Sequence, residues 1–93
     1  MTRESIIESI KNTLTKYGIV KAYIFGSFAR MDENYNDIDV AIEPPQGKFS
    51  LFDLVDVEQK LEDLTGEKVD VVIYRALKPR IRKYVDRDLL PIL

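Results

Sequence analysis

Two aspartates one residue apart, Asp37 and Asp39, follow an apolar segment that ends in Gly26-Ser27. A third, Asp70, sits in the run Val69-Asp70-Val71-Val72. In an extended strand alternate side chains share a face, so Asp37 and Asp39 point one way while Ile38, Val40 and Ile42 point into a core. Two ionised carboxylates about 4 Å apart repel by roughly 4 kcal/mol at an effective dielectric near 20. A divalent cation or a proton between them relieves that repulsion, so the pair suits Mg²⁺. Gly26-Ser27 suits a phosphate, because glycine lets the backbone approach an anion and amides at a helix start donate to it. The Ser27 hydroxyl adds a neutral donor, and Arg30, one turn on, adds a charged fork.

Each fragment also has a plainer reading. Gly-Ser after a strand is commonly only a turn. Two alternating aspartates can be the wet face of an edge strand. Asp70 can pair with Lys68 or with the basic C-terminal segment, since an unpartnered aspartate in so apolar a strand is costly. Together the pieces describe more. If a neighbouring strand brings Asp70 beside Asp37 and Asp39, three carboxylates share a face suited to two hard cations and an in-line displacement at phosphorus. Asp37 and Asp39 then hold the ion that binds a triphosphate. The same two and Asp70 hold the ion that activates an attacking hydroxyl, with Asp70 the candidate for accepting its proton.

Composition narrows the chemistry. The 93 residues allow one domain, residues 1–93, and the 45% hydrophobic and 32% charged content is that of an ordinary soluble chain. There is no cysteine and no histidine, which removes disulfides, thiolate sites, Ser-His triads and most zinc chemistry. Catalysis must therefore rest on carboxylates, hydroxyls, backbone amides and hard cations. The net charge of −2 gives no global drive toward nucleic acid, and none is expected to bind directly. Arg75, Lys78, Arg80, Arg82, Lys83 and Arg87 nonetheless crowd the last fifth of the chain. No apolar run is long enough to span a membrane and no signal-peptide pattern is present, so a cytoplasmic protein is expected.

The elements that must position these residues are legible in outline. Ile6, Ile7, Ile10, Leu14 and Tyr17 form a helical stripe over residues 3–17, and Gly18 is placed to end it. Residues 19–25 read as a strand entering the Gly-Ser turn, residues 28–31 as one helical turn, and residues 32–36 as a polar loop. Residues 37–43 read as the second strand, stopped by Pro44-Pro45. Ser50 is a candidate N-cap for a helix over residues 51–65, with Leu54, Val57, Leu61 and Leu64 inward and Gly66 ending it. Residues 68–74 alternate as a third strand, and Pro79 opens a last helix with Ile81, Val85 and Leu89 on one face. The order predicts an α/β (α+β) protein, a small mixed β-sheet packed with helices.

The combination Gly26-Ser27, Asp37-Ile38-Asp39 and Val69-Asp70-Val71-Val72 resembles the signature of the DNA polymerase β-type nucleotidyltransferase superfamily. Phe25-Gly26-Ser27-Phe28-Ala29-Arg30 resembles its smallest branch, the minimal nucleotidyltransferase (MNT) proteins of prokaryotes, over nearly the whole chain. The resemblance implies the polymerase β-like fold. It also implies metal binding by Asp37, Asp39 and Asp70, and a grip on the nucleoside triphosphate by Gly26 and Ser27. Two departures fall in one loop. Met31 stands where family members often have glycine, and the stretch from Phe28 to Asn36 is one residue shorter than usual.

Such proteins are typically encoded beside a HEPN-class toxin, an all-helical ribonuclease-like partner. The resemblance therefore implies a Mg²⁺-dependent antitoxin with two metal ions that transfers AMP from ATP to a tyrosine hydroxyl of that toxin. With no separate acceptor-binding domain in the chain, the acceptor is expected to dock from outside. The basic segment Pro79 to Arg87 is either that docking surface or a solvated helix face. Tyr35, in the loop beside the site, is expected to pack rather than accept. Competing readings are a module that neutralises its toxin by occlusion, and nucleotidyl transfer to RNA or an antibiotic. The apolar tail Leu89, Leu90, Ile92 and Leu93 either packs on the domain or pairs with a second chain, as a homodimer or a hetero-oligomer.

Overall fold

Two of the helices start where a side chain satisfies a backbone amide that a helix end leaves unpaired. The computed structural model describes residues 2–93. Helix α1 spans Arg3–Lys16; the Thr2 hydroxyl accepts from the Ser5 amide at 3.1 Å, with Glu4 in the first turn and Lys16 in the last. Its buried stripe is Ile6, Ile10, Thr13 and Leu14, and Gly18 follows at φ 79. Strand β1 (Lys21–Phe25) runs directly into the four-residue helix α2 (Gly26–Ala29). Strand β2 is Ile38–Glu43. Helix α3 (Leu51–Thr65) opens with a capping box between Ser50 and Asp53 and ends at Gly66, φ 71. Strand β3 (Val69–Ile73) leads through a 3-10 turn (Tyr74–Ala76) to helix α4 (Pro79–Arg87), which begins on its proline as expected.

The strands form one mixed sheet in the order β3-β2-β1-β4, with β1 antiparallel to β2 and β2 parallel to β3. Helices α1 and α3 pack together over one face. There Ile10 and Leu14 of α1 and Val57 and Leu61 of α3 meet Ile24, Ile38, Val40, Ile42 and Val69 from the strands, all fully buried. Burial of a side chain of this size contributes about 1.5–3 kcal/mol, so this layer holds the sheet together. The outward face carries Phe25, Asp39 and Asp70, all half-buried, and α4 lies near β1.

Several expectations change, beginning with the helical turn read over residues 28–31, which lies earlier, at Gly26–Ala29. Leu64 is 50% exposed and Thr65 takes the inward position at the end of α3, its hydroxyl donating to the Leu61 carbonyl at 2.7 Å. The last helix stops at Arg87, so Leu89 lies beyond it, and Ile81 is 48% exposed rather than in the core. The apolar tail makes a fourth strand, β4 (Leu90–Pro91), which pairs with β1 at Tyr23 and Ile24, while Ile92 and Leu93 pack on the core. The tail therefore closes on its own domain. A proline masked this strand in the sequence, but an edge position does not need the amide that proline lacks.

Candidate active site

Strand β2 lies between β3 and β1, and its register sets the site. Asp39 stands opposite Phe25 on β1 and opposite Asp70 on β3. Asp37 lies one residue before β2, with the same strand parity as Asp39. The parallel pairing is anchored at its start by the Ile38 amide, which donates to the Lys68 carbonyl at 2.9 Å. Asp39 is half-buried, and its carboxyl is pushed above the ordinary 3.8, first by burial, then by Asp70, then by Asp37. Asp39 thus feels the charge of both other aspartates. Among the described residues none of the three enters an ion pair, so the pairing of Asp70 with Lys68 or the C-terminal helix does not form.

These acids share a face without closing on one point. No three of the described His, Cys, Asp or Glu residues are drawn together as a ligand set. Asp39 and Asp70 are the pair set directly across from one another. Their donor atoms are all carboxylate oxygens, which suit a hard cation such as Mg²⁺ and not a soft metal. Gly26 supplies the second half of the site. It sits at φ 76, and a Cβ there would lie 2.6 Å from Oδ2 of Asp39. Only glycine brings the turn this close to the carboxylate. Ser27 and Phe28 follow in the first turn of α2, where amides have no partner inside the helix.

Arg30 reaches the same region but its fork is occupied. Nη1 donates to Asp88 at 2.9 Å and Nη2 to Asp32 at 3.2 Å. The hydrogen bond to Asp88 is the main reason its guanidinium pKa is raised further. A phosphate at Arg30 would have to replace one of these carboxylates. Asp32 and Asp88 were not singled out in the sequence, and no local signal marks them: Asp88 reaches Arg30 only because α4 ends beside α2. Met31, next along, adopts φ 65 with its side chain 69% exposed. The loop therefore keeps, without glycine, the left-handed backbone that glycine favours.

The site opens into a cleft of about 320 Å³ between the β1–α2 turn and α4. Phe25, Gly26, Arg30 and Asp39 line one wall; Ile81, Tyr84, Val85, Arg87 and Asp88 line the other. Ile81 missed the core because it faces this space. A hollow of similar size between α1 and α3, lined by Thr13, Lys16, Tyr17, Lys60 and Leu64, contains none of the three aspartates. The basic segment is divided in use. Arg82 stacks on Tyr74 with its guanidinium 5.0 Å from the ring centre and donates to the Arg75 carbonyl at 3.3 Å, whereas Arg80 and Lys83 are exposed. Tyr35 packs edge-on against Phe28 at 4.8 Å, and its hydroxyl donates to Glu67 at 3.1 Å, a packing role as expected. No helix among the described residues is long and apolar enough to cross a membrane.

Comparison with known proteins gives the family and the fold. The family described as Polymerase beta, Nucleotidyltransferase matches residues 8–90. A Methanocaldococcus jannaschii protein, provisionally named a protein adenylyltransferase, is 35% identical over 94 residues, covering 100% of each chain. Protein adenylyltransferase MntA of Thermococcus cleftensis is 32% identical over 89 residues, 94% of this chain and 89% of that one. A solved structure provisionally described as a minimal nucleotidyltransferase superposes with a TM-score of 0.80 at 32% identity, covering 98% of this chain and 96% of the other. A chain from the complex of tri-AMPylated Shewanella oneidensis HEPN toxin with MNT antitoxin shares the fold, with a TM-score of 0.79 at 20% identity over 99% of this chain and 72% of that one. With Asp39 on β2, Asp37 just before it, Asp70 opposite on the parallel strand β3 and a glycine turn against Asp39, the chain belongs to the polymerase β nucleotidyltransferase family, as an enzyme of its minimal branch.

Proposed function

We propose that this nucleotidyltransferase is a Mg²⁺-dependent protein adenylyltransferase that transfers AMP from ATP to a tyrosine hydroxyl of a HEPN-type toxin, and so acts as its antitoxin. The observation that carries the reading is the position of Asp39, opposed by Asp70 on one side and approached by the Gly26 turn on the other. The names of the relatives and of the solved toxin complex support the choice of substrate.

In this reading Gly26 and Ser27 hold the β- and γ-phosphates through the turn amides and the Ser27 hydroxyl. Arg30 joins them by exchanging a carboxylate partner for a phosphate oxygen. The nucleoside lies in the cleft between Phe25 and the Ile81–Tyr84 side of α4. Asp37, Asp39 and Asp70 would hold Mg²⁺, which supplies charge neutralisation and a more acidic acceptor hydroxyl. Asp70 takes the proton of the tyrosine as its oxygen bonds to the α-phosphorus. The bond from that phosphorus to the β-phosphate bridging oxygen breaks, and diphosphate leaves along the Gly26-Ser27 turn.

The test is incubation with α-labelled ATP, Mg²⁺ and a HEPN-type protein, taken from the reading frame next to this one where it encodes one. Label should appear on the toxin, and Asp39→Ala should reduce it by at least about a hundredfold while the fold persists. A folded wild-type protein that leaves the toxin unlabelled refutes the proposal. Full neutralisation of the toxin by Asp37→Ala/Asp39→Ala would instead favour occlusion.

A further inference from the structure

We infer that Glu58 and Glu62 on α3 are positioning residues for the catalytic face, clamping the free edge of β3 on both sides of Asp70. The inference rests on the reading of Asp70 as part of the metal and proton-transfer site. Strand β3 lies at one edge of the sheet and, among the described residues, has one ladder partner, β2. An edge strand leaves alternate amides without a partner. Here the Val69 amide donates to Oε2 of Glu62 at 3.1 Å, and the Val71 amide donates to Oε2 of Glu58 at 2.9 Å. These are the amides immediately before and after Asp70.

The spacing explains why the two elements match. Glu58 and Glu62 are one helical turn apart, about 6 Å along the axis, and Val69 and Val71 are about 6.6 Å apart along a strand. Because α3 turns back at Gly66, the later glutamate meets the earlier valine. Hydrogen bonds to ionised carboxylates are shorter and stronger than neutral ones. Both glutamates are half-buried, and neither enters an ion pair among the described residues. Their carboxylates face backbone amides, not the cleft, so they act through β3 and not on substrate.

The site gives this clamp a purpose beyond guarding a sheet edge. Asp39 and Asp70 stand directly opposed across the β2–β3 pair, and their like charges push the edge strand away from its ladder partner. The side chains of Val69 and Val71 anchor β3 in the core beneath α3, and the glutamates fix the backbone between those anchors. Asp70 is thereby held where a cation can bridge it to Asp39.

The experiment compares wild type with Glu58→Ala/Glu62→Ala and with Glu58→Gln/Glu62→Gln, which keeps a side-chain oxygen as acceptor. Amide exchange at Val69 and Val71, Mn²⁺ binding by calorimetry, and kcat and KM for AMP transfer are measured. In the alanine pair, exchange protection at both valines should fall about 10- to 100-fold. Mn²⁺ affinity and kcat should each fall about tenfold with KM for ATP little changed, and the glutamine pair should recover most of each. An alanine pair with faster exchange but wild-type Mn²⁺ affinity and kcat overturns the positioning role and leaves edge protection alone. A glutamine pair as impaired as alanine also overturns it. If the alanine pair does not fold, Glu58→Ala and Glu62→Ala are read singly, and wild-type Mn²⁺ affinity in both refutes the inference. Wild-type protein that binds no Mn²⁺ overturns the metal reading, and the inference with it, before any variant is made.

Discussion

Gly26 and Gly66 have nearly the same backbone, φ 76 and φ 71, yet a methyl group at each meets different surroundings. Alanine at either position must adopt the left-handed region, which costs about 1–2 kcal/mol. In a domain of this size that lowers Tm by roughly 4–8 °C per kcal/mol. At Gly66 nothing lies within 4 Å of the added Cβ, so the cost ends there and activity should be unchanged. At Gly26 the Cβ would lie 2.6 Å from Oδ2 of Asp39, whereas ordinary contact begins at 3.4 Å. The carboxylate must give way by nearly 1 Å. That movement is cheap for a side-chain tip but displaces the carboxylate that, in the proposed site, holds the metal. A misplacement of about 1 Å can cost about a hundredfold in rate. Gly26→Ala and Gly66→Ala are therefore predicted to lose similar stability in thermal unfolding, while only Gly26→Ala loses AMP transfer by about two orders of magnitude. If both variants keep activity, the close approach of turn and carboxylate has no part in catalysis. If both lose it equally, the loss comes from general destabilisation and the argument from proximity fails.

Three further predictions use other features of the site. Met31→Gly should raise stability by about 1 kcal/mol in urea unfolding and leave activity intact, because it removes left-handed strain at an exposed side chain; an unchanged or lowered midpoint would deny that strain. Burial and its acidic neighbours make Asp39 hold its proton to higher pH in the fold than in the unfolded chain, so the metal-free native state binds more protons just above pH 3.8. The contribution of Asp39 to stability therefore falls as pH rises through that window. With a chelator present, Asp39→Asn should gain stability relative to wild type as pH increases, and a constant difference across the series would contradict the shift. Arg30→Ala should raise KM for ATP, whereas Asp88→Asn should lower it by removing a carboxylate that competes with phosphate. A higher KM in Asp88→Asn would mean that Asp88 aims the fork instead of occupying it.

Much of this was readable because its causes are local. The N-cap at Ser50, the glycine stops at Gly18 and Gly66 and the proline start of α4 are short-range chemistry, and each appears where the residues indicate. The pairing of Asp39 with Asp70 was readable for another reason: an aspartate in a valine-rich strand needs an explanation, and a neighbouring strand carrying aspartates offers one. What escaped was set by tertiary contact. Pro91 hid a strand whose only requirement is an edge beside β1. Ile81 looked like a core residue by periodicity, but a nine-residue helix at the rim of a cleft has no second layer to bury it. Arg30 looked like a free phosphate ligand, and nothing near it in sequence announces Asp88, 58 residues away. The glutamates that cap β3 carried a helical i, i+4 spacing, but their partners are backbone amides that no side-chain pattern reveals.

The account's central claim is that Asp37, Asp39 and Asp70 together hold the cations that receive a nucleoside triphosphate at the Gly26-Ser27 turn. A crystal grown with Mn²⁺ and a non-hydrolysable ATP analogue, with anomalous data collected for manganese, addresses it directly. The expected map shows manganese bound by all three carboxylates, with the triphosphate lying along the turn. Manganese and nucleotide seated with Asp70 turned away from Asp39, or nucleotide bound with no metal at these carboxylates, would contradict it.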